Sequence, residues 1–274
     1  MRSTIALVGL ALVAAGLPSA APAQAAETCQ EKLVTISDSD GGKVEGTDGD
    51  DVILMSGGHN PGEVIAKGGN DTICLEDGRV RGGPGRDSVF VGGEVEFPDL
   101  EIRDVEDLDV TVQRGVVRLI HVRGGEGTLD IGGAGLLVIG RNRITVDLED
   151  DLVEVDGGTY SVLGTPSVFA GARQVHLEGD SGSNELAAEP RGCSVVIEGG
   201  RGDDHLELYG ITYKLPSMRG CHRQRPRLLG QRGDDILQGR RTDDVLVGGP
   251  GSDKAYGAEG TDTCRAEIER KCER

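Results

Sequence analysis

The chain has 274 residues and a formal net charge of −18, with 29 Lys and Arg against 47 Asp and Glu. This surplus of acid argues against nucleic acid as a partner, because its phosphates would be repelled, and it makes multivalent cations the natural counter-charge. The chain holds 45 glycines but only three Phe, four Tyr and no Trp, which excludes a core built on large aromatic side chains.

Residues 1–25 have the features of a secretory signal peptide. Arg2 precedes an apolar run at residues 5–17, which is too short to span a bilayer, and "AQA" ends at Ala25. Its removal would leave 28 basic against 47 acidic residues. The later sequence has no apolar stretch of membrane length. We therefore expect a secreted, extracellular protein that does not enter a membrane.

The six cysteines all follow this segment. An even number in an exported chain favours disulfides, and the absence of a Cys-x-x-Cys pair argues against zinc. Proximity favours Cys264–Cys272, which leaves Cys29–Cys74 and Cys193–Cys221 as the weaker pairings.

The N-terminal region, residues 26–93, contains three similar nine-residue units. They are GTDGDDVIL (46–54), AKGGNDTIC (66–74) and GGPGRDSVF (82–90), and each has Asp at position six. These residues, Asp51, Asp71 and Asp87, are 20 and 16 residues apart, which indicates small insertions or deletions between units.

The middle segment, residues 94–178, lacks this acidic unit but keeps short β-branched runs such as "RITVDL" and "LVEVD". Their alternation is typical of half-buried strands. We interpret the segment as a cation-poor continuation of one solenoid with degenerate turns, and a small independent β-domain is the alternative. Its acidic cluster could bind a further cation, although a solvated edge that blunts strand addition is favoured; the cluster comprises Asp147, Glu149, Asp150, Asp151, Glu154 and Asp156.

The C-terminal region, residues 179–274, carries the clearest repeat. GDSGSNELA (179–187) and GGRGDDHLE (199–207) precede four consecutive units, GQRGDDILQ, GRRTDDVLV, GGPGSDKAY and GAEGTDTCR, at 230–265. In these four, position one is always Gly, position six is always Asp, and position eight is small or apolar. Asn184 replaces Asp in its unit, where we expect weaker ion binding, and Thr242 replaces the glycine at position four.

An insertion at 209–228 interrupts this region. It lengthens the spacing from Asp204 to Asp235 to 31 residues and is rich in Arg and Lys. We predict a protruding loop there. It could contact an anionic cell-wall or extracellular polymer, but a plain solvated insertion is favoured.

These units resemble the GGxGxDxUx nonapeptide repeats of hemolysin-type (RTX) calcium-binding proteins. The resemblance implies an all-β fold, a right-handed parallel β-solenoid or β-roll. In that family the first six residues of a unit form a turn and the last three form a strand. Two units make one coil, and calcium lies between stacked turns.

Electrostatics favours the same arrangement. Stacked strands lie ~4.8 Å apart, and two carboxylates at about 5 Å repel by about 3 kcal/mol at an effective dielectric of ~20. Ca²⁺, a hard cation with flexible oxygen coordination, removes this repulsion. Alternating sides would pair Asp235 with Asp253 and Asp244 with Asp262. The predicted calcium ligands are Asp235, Asp253, Asp244, Asp262, Asp204, Asp87, Asp71 and Asp51.

No catalytic function is predicted. "GDSG" at 179–182 resembles the nucleophile segment of serine proteases, but it continues in register with the repeat, and neither His59 nor His121 lies in a matching histidine segment. The sequence predicts a secreted calcium-binding β-roll that folds on binding calcium and has a structural or interaction role. The alternative is a calcium-dependent extracellular β-helix polysaccharide lyase. The sequence does not indicate an oligomeric state.

Overall fold

A computed structural model describes residues 28–56, 62–91, 99–112, 114–122, 124–209 and 225–273. The predicted signal peptide, most of the insertion and Cys221 lie outside these residues. The described residues form strands and turns without a helix, so no helix there could cross a membrane. The strands are β1 (Thr28–Cys29), β2 (Lys32–Leu33), β3 (Ile36–Asp38), β4 (Lys43–Glu45), β5 (Val52–Met55), β6 (Glu63–Ile65), β7 (Thr72–Leu75), β8 (Arg79–Arg81), β9 (Ser88–Val91), β10 (Asp99–Arg103), β11 (Asp107–Thr111), β12 (Val116–Ile120), β13 (Glu126–Asp130), β14 (Gly135–Ile139), β15 (Arg143–Asp147), β16 (Leu152–Val155), β17 (Gly158–Leu163), β18 (Ser167–Glu178), β19 (Glu185–Glu198), β20 (His205–Leu208), β21 (Arg227–Leu229), β22 (Ile236–Gln238), β23 (Val245–Val247), β24 (Lys254–Tyr256), β25 (Thr263–Arg265) and β26 (Ile268–Arg270).

The chain winds into a parallel β-solenoid. From β3 to β12 each strand pairs in parallel with the strand two places further on, so that each coil contributes one short strand to each of two walls, and β13 pairs with β17 across the insertion described below. The same rule holds from β20 to β26. The all-β parallel solenoid predicted from the repeats is therefore confirmed.

Two long strands connect the middle of the solenoid to its C-terminal part. β18 pairs with β14 through its first half and with β15 through its second half, and β19 follows β18 along nearly its whole length. β19 then pairs with both β20 and β21. The middle segment thus belongs to the same stack as the repeats on either side.

An antiparallel insertion departs from the simple winding. β16 pairs antiparallel with both β15 and β17. Tight turns reverse the chain on either side of β16, with left-handed backbone at Asp151 (φ 54°), Asp156 (φ 48°) and Gly157 (φ 96°). The two alternating segments at 143–150 and 151–158 therefore form a hairpin, where the sequence predicted successive coils.

A narrow aliphatic core runs through the solenoid. It is continuous from Val44 to Ala255, and the position-eight residues of the repeats point into it. Leu206, Leu237 and Leu246 are fully buried there. Small branched side chains suit this core because a strand of only three or four residues sends one or two side chains inward.

Two disulfides hold the ends of the described chain. Cys29–Cys74 attaches β1 to β7, and Cys264–Cys272 closes the C-terminal segment; the Cα atoms are 5.8 Å apart in both. Both pairings predicted from the sequence are confirmed. The pairing of Cys193 with Cys221 stays a prediction.

Candidate metal centre

The position-six residues lie at the ends of tight turns, directly before the strands that follow. Because the next residues form a strand in the wall of the solenoid, the carboxylate lies inside the turn and is shielded from water. The eight aspartates predicted as ligands are at most 7% exposed, and Asp87, Asp235, Asp244 and Asp253 are completely buried.

Turns on the same side stack into three ladders. In each ladder the backbone N–H of one position-six residue donates to Oδ1, or Oε2, of the next member at 2.8–3.0 Å. The N-terminal ladder is Asp51, Asp71, Asp87 and Glu106; the long C-terminal ladder is Asn184, Asp204, Asp235, Asp253 and Glu267; the short C-terminal ladder is Asp244, Asp262 and Glu273.

The ladders show which predicted neighbours meet. Asp235 contacts Asp253, and Asp244 contacts Asp262, each through one hydrogen bond of 2.9 Å, as the 18-residue spacing predicts. Asp204 also stacks on Asp235 despite the 31 residues between them. The insertion therefore leaves the ladder intact.

The glutamate ends of the ladders were not predicted. Glu106, Glu267 and Glu273 accept the backbone N–H of the last aspartate, in place of another aspartate turn. They lie outside the nonapeptide pattern, and their longer side chains reach from differently shaped turns. The periodic signal could not locate them.

A second, outer row of polar groups follows the ladders. It consists of position-five residues, whose backbone N–H groups donate to the position-five side chain of the preceding turn at 2.7–3.0 Å. The acceptors are Asp50, Asn70, Asp203, Asp234 and Asp243. The Asp-Asp dipeptides in several units were the available signal for this row, but the sequence interpretation used only position six.

The second carboxylate oxygen of most ladder aspartates has no partner. Oδ2 is buried and without a hydrogen bond in Asp71, Asp87, Asp204, Asp235, Asp253 and Asp262. Such a group costs free energy unless something compensates for its lost hydration. Six equivalent orphaned oxygens therefore indicate a shared type of ligand, and a cation would compensate each carboxylate for both its buried charge and its lost hydration.

Carbonyl oxygens converge on the same places. A Cβ built on Gly230 would lie within 3 Å of both Asp235 Oδ2 and the carbonyl oxygen of Gly248 in the next coil, and Gly199 has the same surroundings with Asp204 and Gly230. Carboxylate and carbonyl oxygens are the ligands that Ca²⁺ prefers. The residues present therefore fit a calcium ion.

Side chains alone do not make a complete coordination shell. In the part of the chain that the structure describes, no three His, Cys, Asp or Glu side chains are grouped to hold a metal ion. Each ion would thus take most of its six to eight oxygens from backbone carbonyls and water. This agrees with the glycine-rich turns, in which carbonyl groups are not covered by side chains.

Burial also changes the acidity of the ladder. Desolvation raises the pKa of Asp87 and Asp235 to about 6 and that of Asp204 and Asp244 to about 7, with repulsion from neighbouring carboxylates acting in the same direction. The pKa values of Asp71, Asp253 and Asp262 are raised as well, first by desolvation. The ionised ladder is thus destabilising until an opposite charge is supplied.

Two other sequence candidates have structural roles here. In "GDSG", Asp180 Oδ1 accepts the backbone N–H of Gly182 at 2.7 Å, so this segment is an ordinary turn of the repeat. In the acidic cluster of the middle segment, the carboxylate of Asp156 accepts three backbone N–H groups, from residues 141 to 143.

Comparison with known proteins supports the C-terminal repeats. Residues 229–264 match the model of the RTX calcium-binding nonapeptide repeat, which comprises four copies. This range covers all but the last residue of the four consecutive units that have Asp at positions 235, 244, 253 and 262. The chain has no match among curated proteins.

Proposed function

We propose that this chain, which carries RTX calcium-binding nonapeptide repeats at residues 229–264, is a secreted β-roll that binds several calcium ions at its stacked aspartate turns and folds on binding them. The ligands are the aspartates of the three ladders together with carbonyl oxygens of the same turns. The role that we assign is structural or interactive, without catalysis.

One observation carries this proposal: the six buried Oδ2 atoms that have no hydrogen-bond partner. Five of them, all but that of Asp71, lie within 3 Å of the place where a Cβ on the position-one glycine of the same turn would stand, so that glycine leaves space that a side chain would occupy. Bound calcium would supply positive charge to these oxygens and complete their coordination. The chain itself holds the carboxylates in place through the Oδ1 hydrogen bonds of the ladders.

The same geometry supports our proposal that calcium binding is coupled to folding. The chain has a large acidic excess and a narrow aliphatic core. Bringing the turns together without a cation concentrates negative charge, whereas the unfolded chain disperses it. Since a formed site exists only in the folded state, the free energy of binding is added to the free energy of folding.

Secretion is supported by the signal-like segment and by the two disulfides, because disulfides persist in oxidising compartments. For the basic insertion at 209–228, most of which lies outside the described residues, a plain solvated loop remains the favoured interpretation and contact with an extracellular polymer is the alternative. A lyase would be recognised by growth of the absorbance of unsaturated products when acidic polysaccharides are supplied, and we expect none.

Equilibrium dialysis with calcium tests the proposal. We expect several ions per wild-type chain, little competition from magnesium, and a clear loss of ions in the variant Asp204→Asn/Asp235→Asn/Asp253→Asn. The matched control, Asp109→Asn/Glu149→Gln/Glu154→Gln, removes three exposed charges that belong to none of the ladders and should bind as the wild type does. A wild-type chain without bound calcium at millimolar concentration refutes the proposal.

A further inference from the structure

We infer that the nine aspartate and asparagine turns fall into two classes, of which only six bind calcium, while the other three close on themselves and begin the ladders without metal. This inference rests on the proposed function. The three self-closed turns, called starter turns here, end at Asp51, Asn184 and Asp244.

The backbone separates the two classes. Six turns have a left-handed residue at position two, and in three of these it is not glycine: Lys67 (φ 80°), Gln231 (φ 74°) and Ala258 (φ 78°). The same six turns also have left-handed glycines at position four: Gly69, Gly85, Gly202, Gly233, Gly251 and Gly260. The starter turns have a left-handed residue at neither position.

Hydrogen bonding follows this division. In each starter turn the backbone N–H at position two donates to the side-chain oxygen at position six: Thr47 to Asp51 Oδ2 (2.6 Å), Asp180 to Asn184 Oδ1 (2.9 Å) and Arg240 to Asp244 Oδ2 (2.9 Å). Two hydroxyl groups add to this, since Thr47 Oγ1 donates to Asp51 and Thr242 Oγ1 donates to Asp244.

The six orphaned oxygens all belong to the other class. Asp71, Asp87, Asp204, Asp235, Asp253 and Asp262 are the position-six residues of the six turns with a left-handed position two. A left-handed backbone turns the position-two N–H away from the carboxylate and is unfavourable for a residue with a side chain. The unpaired buried oxygen and the left-handed backbone thus occur in the same six turns. A bound ion would offset the free-energy cost of both.

The starter turns also share a place in the fold. Each is the first member of its ladder, and each donates its N–H to the Oδ1 of the member that follows. The position-six residue of a starter turn needs to accept a hydrogen bond but does not need to carry a charge. Asn184 fits this role, because an amide oxygen accepts the same bond.

Under this inference, the list of expected ligands is shorter by two residues. Asp51 and Asp244 have their Oδ2 atoms occupied by backbone N–H groups, so they hold the ladder start in place of a calcium ion. The calcium ligands are then the six aspartates with a free Oδ2. The three metal-free turns would also form without calcium, and the calcium-dependent turns would then stack on them.

A matched pair in neighbouring units tests the inference: Asp253→Asn and Asp244→Asn, both at completely buried positions. Asparagine removes the charge but keeps one oxygen, which accepts the ladder hydrogen bond from Asp235 N–H at position 253 and the bond from Arg240 N–H within the turn at position 244. By equilibrium dialysis, Asp253→Asn should bind at least one calcium ion fewer per chain than the wild type, and Asp244→Asn should bind the same number.

The reverse change gives a second, independent readout. Arg240→Gly/Thr242→Gly converts "GRRTDD" into the "GGRGDD" found at 199–204. It should open the starter turn and raise the calcium count by one. In chelator, Asp244→Ala should lower the unfolding midpoint, because the Arg240 N–H loses its acceptor, whereas Asp253→Asn should leave it unchanged or raise it, because it keeps the ladder hydrogen bond and removes an uncompensated charge.

The outcomes separate the inference from the proposed function. If the wild type binds calcium but Asp244→Asn loses as much as Asp253→Asn, or if the double glycine variant gains none, the two-class inference is overturned and calcium binding stands. A wild type without calcium overturns both.

Discussion

Gly230 and Gly248 stack so closely that a Cβ on Gly230 would lie 2.7 Å from the carbonyl oxygen of Gly248, in addition to meeting the carboxylate of Asp235. Neither group can move easily, since the carbonyl belongs to the next coil and the carboxylate is buried. We therefore expect Gly230→Ala to lower the free energy of unfolding by about 1–3 kcal/mol and to weaken calcium binding, as measured by urea titration and dialysis.

Gly135→Ala is the control for this change. Gly135 lies in β14 of the middle segment, where the nearest atoms to a new Cβ are 4.0 Å away. This variant should be as stable as the wild type or more stable by up to about 1 kcal/mol, because alanine loses less backbone entropy in a strand. Equal costs for the two variants would show that close stacking of the turns is unimportant.

The calcium-free protein should become more stable as the pH falls from 8 to 5. The pKa of Asp204 is raised to about 7 and that of Asp235 to about 6, above the value of about 4 in an unfolded chain. Protonation is therefore easier in the folded state, so this stabilisation is complete below the unfolded pKa and is lost as the pH rises through the folded pKa.

The measurement is the thermal unfolding midpoint in chelator at several pH values. The rise at low pH should shrink in Asp204→Asn/Asp235→Asn, which lacks two of the groups that titrate. A wild-type midpoint that is highest at pH 8 in chelator would contradict this account of the ladder.

Asp156 should stabilise the antiparallel insertion. Its Oδ2 accepts the backbone N–H of Arg141 at 2.6 Å, and its Oδ1 accepts those of Asn142 and Arg143. Burial by itself would raise the pKa of Asp156, but these three donors outweigh it and lower the pKa. Asp156→Ala should cost about 1–3 kcal/mol in urea unfolding at neutral pH, and Glu154→Ala, an exposed acid on β16, should change stability by less than about 0.5 kcal/mol.

Tyr160, in β17, connects the antiparallel insertion to the end of the N-terminal ladder. It is fully buried, and its hydroxyl donates to the backbone carbonyl of Glu106 at 2.9 Å. Tyr160→Phe should therefore cost about 0.5–1.5 kcal/mol. Tyr209→Phe, at a ring that is 48% exposed, is the control and should be close to neutral in the same unfolding assay. If Tyr160→Phe left the free energy of unfolding unchanged, the hydrogen bond to Glu106 would not contribute to stability.

The parts of the site that could be predicted from the sequence are those that follow from its period. A constant spacing of 18 residues places Asp235 on Asp253, and the alternation of inward residues places Leu237 in the core. Asp51, Asp71 and Asp87 also stack on one another although their spacings are irregular, because an insertion at a turn lengthens the loop without changing which strands pair.

Other features could not be found in this way. The hairpin at β15–β16 has the same hydrophobic alternation as two parallel strands, so the pattern cannot give strand direction. Glu267 reaches its ladder from a turn outside the repeat. The two classes of turn differ in the backbone conformation of position two, which is left-handed at Gln231 but not at Arg240. Neither residue is a glycine, so the residue type at this position does not reveal the left-handed conformation.

The unfolding midpoint with and without calcium tests the central claim most directly. At free calcium one hundredfold above the dissociation constant, each site should add about 2.7 kcal/mol of stability. The midpoint should therefore rise steeply as calcium is added to chelator-treated protein, and magnesium at the same concentration should have a much smaller effect. The same midpoint and the same circular dichroism spectrum in calcium and in chelator would contradict the account.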